Sequence, residues 1–120
     1  MRSLRIIFDD FMREIDLVER FTIKGKMLFM TDERDQYAVM MAYARIGEIA
    51  KQIPNDLLDT QPQIAWREIK GFRDVLLHRY FEINIERVWE AVEDLPNLRL
   101  AVEALSANVP ADDEDNLHLM

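Results

Sequence analysis

The 120-residue chain is 49% apolar and 32% charged, with a formal net charge of −8. That is enough sequence for one domain with its own hydrophobic core and too little for two. Cysteine is absent, which excludes disulfides and thiolate metal sites, and the acidic balance excludes unspecific polyanion binding over the whole surface.

No apolar run approaches the ~20 residues that a membrane-spanning helix needs. The opening MRSLRIIFDDFMREI carries acids every few residues, unlike a secretory signal. A cytoplasmic protein without membrane contact is expected. The charge is uneven, however. Between Ile64 and Arg87 five bases (Arg67, Lys70, Arg73, Arg79, Arg87) meet four acids (Glu68, Asp74, Glu82, Glu86), a local net charge of +1 in a chain of −8. A nucleic acid would have to bind locally, at this stretch.

Helix formers dominate, glycine and proline are sparse, and no run alternates at period two. The pattern predicts an all-α, up-and-down bundle of about five helices over residues 1–109, followed by an acidic, irregular tail over 110–120. The first helix is expected from about Leu4 to Ile23, with Leu4, Ile7, Phe8, Phe11, Ile15, Val18 and Thr22 on one apolar face. Gly25 can end it. A short connector follows with Leu28 and Phe29 as apolar anchors, and then Thr31 or Asp32 can cap a second helix from Glu33 to about Gln52. Val39, Tyr43, Ile46, Ala50 and Ile53 mark its inner side, widened by Met40 and Met41. Gly47 costs a mid-helix position about 1 kcal/mol against alanine, which points to a close helix–helix approach there.

Pro54 stops that helix. A turn-rich bridge, with one helical turn near Asp56 to Leu58, leads to a third long helix from Ala65 to Leu77. Ala65, Ile69, Phe72 and Leu76 are expected to face inward, with Arg67, Lys70 and Arg73 stepping along another face. Trp66 and Trp89 read as core. Asn84 can cap a helix from Ile85 to Asp94 that buries Ile85, Val88, Trp89 and Val92. Pro96 interrupts it, and Leu98, Val102 and Leu105 lie on a final helix ending near Ala107.

The third long helix delivers the most reactive stretch of the chain, FRDVLLHRYF, from Phe72 to Phe81. It gathers a phosphate-binding cation, an imidazole and a phenol. Arginine suits a phosphate because its planar fork donates to two oxygens at once. Histidine suits proton transfer because its reference pKa lies near ~6.5. Taken singly, each has a plainer reading: Arg73 in a solvated ion pair with Asp74 or Glu68, His78 at a helix end, Tyr80 as a packed phenol.

Taken together, the residues from Trp66 to Arg99 (WREIKGFRDVLLHRYFEINIERVWEAVEDLPNLR) resemble the HepT-like family of the HEPN superfamily. The spacing R-x4-H-x-Y is met by Arg73, His78 and Tyr80, with Asp74 as the polar residue after the arginine, and the segment from Ala38 to Pro54 resembles the family's second helix. The resemblance implies a homodimer and a metal-independent RNA endonuclease without cofactor. Arg73 and His78 would be catalytic, Asp74 would orient Arg73, and Arg67, Lys70 and Arg79 would be RNA-binding candidates. It further implies a toxin–antitoxin pair, in which an MNT-type nucleotidyltransferase adds AMP to Tyr80 and the two proteins assemble into a higher hetero-oligomer. A non-catalytic nucleotide- or substrate-binding partner of that transferase is the alternative. Many family members carry glycine between the histidine and the tyrosine, where this chain has Arg79.

Geometry adds a constraint. At ~100° per residue, Arg73 and His78 lie about 140° apart on an unbroken helix. Either the helix ends before His78, or a second chain completes the site.

Overall fold

The computed structural model describes residues 2–109. Five helices of nine or more residues carry the fold: α1 (Leu4–Thr22), α3 (Glu33–Ala50), α5 (Trp66–His78), α6 (Ile85–Glu93) and α7 (Leu95–Ala107). Two single-turn helices, α2 (Lys26–Phe29) and α4 (Asn55–Leu58), sit in the connections, and a 3-10 turn spans Tyr80–Glu82. The described residues contain no strand. The tail expected over 110–120 lies outside the described residues.

The helix starts follow local chemistry. Ser3 caps α1 by accepting from Ile6 N at 3.2 Å. Asp32, rather than Thr31, caps α3, accepting from Arg34 N at 2.9 Å and Asp35 N at 3.3 Å. Asn84 caps α6 through Glu86 N at 2.9 Å. Gly25 has φ 94°, which a side chain would resist. Pro96 lies in the first turn of α7, where its missing N–H costs nothing, so it starts a new helix after the break.

Cross-links fix the directions. Arg2 Nη1 donates to Gln52 Oε1 and Arg45 pairs with Glu14, so α1 and α3 are antiparallel. Gly47 against Ile69, the Tyr43–Phe72 ring contact and the Tyr37–Tyr80 bond set α3 antiparallel to α5. Arg99 bridges Asp16 and Glu19 while Arg5 reaches the Val109 carbonyl, so α7 runs back along α1. The C-terminal ends of α1 and α5 and the N-terminal ends of α3 and α7 therefore share one end of the bundle. Lys26 ties α2 to α6 there through Glu86 at 3.1 Å.

The core is built from the stripes predicted for α1, α3, α6 and α7, with Phe8, Phe11, Ile15, Val18, Val39, Ile46 and Val102 fully enclosed. Trp66 and Trp89 are buried as expected. The Trp66 ring meets Phe11 edge-on at 6.3 Å between centroids, and its Nε1 donates to the Gln61 carbonyl at 3.0 Å. The close approach inferred at Gly47 is present: a Cβ there would stand 2.4 Å from the Ile69 carbonyl oxygen.

Three positions depart from expectation, and one buried charge adds to them. Ala65 precedes the first turn of α5 and is exposed, because the chain is still entering the helix and buries Ile64 and Trp66 on either side of it. Met41 is exposed, since α3 is crossed by α1 and α5 on the arc through Met40 and not on the next residue's. Leu28 is half out of the short α2, which points Phe29 inward instead. Glu14, a charged residue, is only 2% exposed on the inner face of α1.

Candidate functional site

The helix α5 runs unbroken from Trp66 to His78, and Arg79 N closes its last turn on the Val75 carbonyl at 2.8 Å. The helix does not end before His78. Arg73 and His78 therefore project about 140° apart and are separated by about 7.5 Å along the axis. Only Trp66 of α5 is fully buried, while Ile69, Phe72 and Leu76 are half-buried against α3. The helix is consequently a partly open wall of the bundle.

Its polar side chains are free to meet a ligand. Arg73, Asp74, His78 and Arg79 are exposed, and none makes a side-chain hydrogen bond or ion pair with another described residue. Arg73 and Asp74 do not pair with one another, so a single chain does not supply the orienting contact expected of Asp74. Of the RNA-binding candidates, Arg67 is exposed, whereas Lys70 donates to Asn55 Oδ1 at 2.8 Å. Arg79 has φ −136° and ψ 37°. Its φ is negative, outside the left-handed region that favours glycine, so the backbone here does not call for a glycine in place of Arg79.

Beyond Arg79 the chain makes a tight turn. Glu82 N reaches the Arg79 carbonyl at 2.9 Å, and Ile83 N reaches the Tyr80 carbonyl at 3.1 Å. The turn presents Tyr80 and Phe81 together, their rings edge-to-face at 5.6 Å. Phe81 is 98% exposed and Leu77, one turn earlier, is 58% exposed. Tyr37 and Met41 of α3 are exposed as well, and Tyr37 joins this apolar group through its contact with Tyr80.

Tyr80 is held by a residue that the sequence reading did not single out. Its hydroxyl and the Tyr37 hydroxyl share a hydrogen bond at 2.7 Å, and the two rings stack at 6.1 Å with 15° between planes. The bond to Tyr37 raises the Tyr80 pKa above its ordinary value, aided by partial loss of water and by Glu33 nearby. The signal that could have found Tyr37 is its spacing to Met41, one turn apart and off the core stripe. Linking it to a residue 43 positions away required the α3–α5 register.

A groove of about 740 Å³ opens between α5 and α6. Tyr43, Phe72, Val88 and Leu98 line it, with Glu68, Glu82, Arg87, Glu90 and Asp94 also along its walls. The Tyr43 hydroxyl is buried without a hydrogen-bond partner among the described residues, and burial raises its pKa, with Asp94 adding to the shift. No helix among the described residues is long and apolar enough to cross a membrane.

Comparison with known proteins gives the family. Residues 11–105 match the family model described as "Ribonuclease HepT-like". A Thermococcus cleftensis protein named "Probable ribonuclease HepT" is 39% identical over 106 residues, spanning 87% of this chain and 96% of its own. A Methanocaldococcus jannaschii protein named "Putative RNase MJ0127" is 33% identical over 90 residues, 74% of each chain. Another from that organism, "Putative RNase MJ1216", is 29% identical over 97% of this chain and 98% of its own. No solved structure matches. With a family match across most of its length, on an all-helical fold that exposes the R-x4-H-x-Y residues, the chain belongs to the HepT-like ribonuclease family.

Proposed function

We propose that this chain is a metal-independent RNA endonuclease that works as a homodimer, and that it is the toxin of a pair with an MNT-type nucleotidyltransferase antitoxin. One observation carries the two-chain reading. The helix stays intact through His78, leaving Arg73 and His78 on different sides of it, both exposed and unpaired within the described chain. A two-fold axis beside the apolar face of Leu77, Tyr80 and Phe81 would bring Arg73 of one protomer toward His78 of its partner. The ribonuclease names of the relatives support the activity.

In that cleft His78 acts as general base on a ribose 2′-hydroxyl and as general acid toward the leaving oxygen. Arg73 stabilises the charge that gathers on the crowded phosphate. Asp74, which does not pair with Arg73 within one chain, orients it across the dimer. Arg67, Lys70 and Arg79 hold the flanking RNA backbone. Tyr80, two residues past His78, is the acceptor of AMP from the antitoxin. The added group brings bulk and negative charge to the place where a substrate phosphate sits, and so repels RNA.

Purified protein is expected to cleave RNA in EDTA, and His78→Ala to abolish cleavage. If both are equally inert, the nuclease reading gives way to a non-catalytic partner of the transferase.

A further inference from the structure

The best-defined polar contact at the motif joins Tyr80 to Tyr37, and it carries a role for Tyr37 in the chemistry at Tyr80. We propose that the Tyr37 hydroxyl readies Tyr80 for nucleotidyl transfer: it fixes the phenol, turns the lone pairs of its oxygen outward and carries off its proton. This rests on Tyr80 being the acceptor of AMP.

Tyr80 lies in a three-residue turn at the open end of the bundle, where a phenol would otherwise sample several rotamers. Tyr37 removes that freedom at two points. The ring stack at 6.1 Å fixes the face, and the hydroxyl contact at 2.7 Å fixes the tip. Phe81 closes the edge at 5.6 Å. The backbone that carries Tyr37 is fixed, since it lies in the second turn of α3, a helix whose start is capped by Asp32.

The direction of the bond matters. A phenol has one proton and two lone pairs. In the arrangement competent for attack, Tyr80 is the donor and Tyr37 the acceptor across the 2.7 Å contact. The lone pairs of the Tyr80 oxygen then point away from Tyr37, toward an incoming nucleotide, and attack does not require the bond to break. Donation also leaves the Tyr80 oxygen more electron-rich than a free phenol's, whereas the accepting oxygen of Tyr37 is depleted.

The step balances with a nucleoside triphosphate as co-reactant. The Tyr80 oxygen forms a bond to the α-phosphorus, and the bond from that phosphorus to the bridging oxygen breaks, releasing pyrophosphate. As the new bond forms the phenolic proton becomes acidic and moves along the existing hydrogen bond to Tyr37. Tyr37 is 51% exposed and passes its own proton to water. One proton leaves per AMP added.

The test uses the full chain, the cognate nucleotidyltransferase and ATP, with intact mass as readout. Tyr37→Phe keeps the ring stack and removes only the hydroxyl. It is expected to lower kcat for AMP addition on the order of a hundredfold, with KM for the acceptor protein and the melting temperature unchanged. Tyr37→Ala, which also loses the stack, should raise KM as well. Independently of the transferase, ultraviolet titration of Tyr37→Phe should show the Tyr80 phenol ionising at lower pH than in the parent chain. Equal labelling rates for Tyr37→Phe and the parent would overturn the role of Tyr37 while leaving Tyr80 as acceptor. No label on the parent chain, or undiminished label on Tyr80→Phe, would overturn the acceptor reading itself.

Discussion

Gly47 of α3 lies so close beneath the Ile69 carbonyl of α5 that a methyl group would stand 2.4 Å from its oxygen. In an open helix Gly→Ala gains about 1 kcal/mol. Here the methyl meets backbone and cannot be relieved by rotating a side chain. Gly47→Ala is therefore expected to cost about 2 kcal/mol net, lowering the melting temperature by roughly 8 °C. Because α5 carries Arg73 and His78, RNA cleavage should fall in the same variant at a temperature where it is still folded. Thermal melts and cleavage assays check both parts.

A site shared between protomers predicts complementation. Arg73→Ala and His78→Ala are each expected to be inactive alone. Mixed after exchange of subunits, half the dimers are hybrids, each with one intact pairing of Arg73 and His78. The mixture should recover about a quarter of parental activity, as two-fold symmetry requires. Activity that stays at the level of the separate variants would place both groups in one chain.

Phe81 offers a separate test of the dimer. A phenylalanine ring left 98% exposed is a natural anchor for a partner surface. Phe81→Asp should leave the protomer folded, since the ring stands outside the core, but shift it to monomer in sedimentation. RNA cleavage should be lost in parallel.

Glu14 makes stability depend on pH. Burial raises its pKa above the ordinary 4.5, against the opposing pull of Arg45 and Arg13. A carboxyl with a raised folded pKa binds its proton more tightly in the native state. Its contribution is therefore fully favourable at acidic pH and is lost as pH rises through the folded value. Arg45 offsets part of that loss through its 3.1 Å contact and is itself largely exposed. Arg45→Ala should destabilise by about 2 kcal/mol near pH 7, where it leaves a buried carboxylate without its cation, and by much less near pH 4. Glu14→Gln should be neutral or stabilising near pH 7, because the freed Arg45 stays solvated. Melts across that pH range compare the two.

The helices were legible because their caps and apolar periods are local properties. Ser3, Asp32, Asn84 and Pro96 act within four residues of themselves, and the inner faces of α1 and α6 follow from spacing alone. Gly47 was legible because a glycine inside a strong helix needs a reason. The buried Glu14 was not, since its partner lies 31 positions away and a carboxylate reads as solvent-facing. At the site, Arg73, His78 and Tyr80 stood out by residue type and spacing. What spacing could not give was the length of α5 through His78, or that Tyr37 would lie opposite Tyr80. Both depend on how α3 and α5 are registered against one another.

Arg5 meets the Val109 carbonyl at the end of the bundle remote from Tyr80, separated from it by nearly the full length of α1, about 28 Å. A fluorophore, an affinity handle or a surface tether attached at a side chain beside Arg5 would sit at that far end. Such a molecule could be immobilised there with the end that carries Tyr80 still presented to solution, which makes single-turnover measurements on tethered protomers practicable.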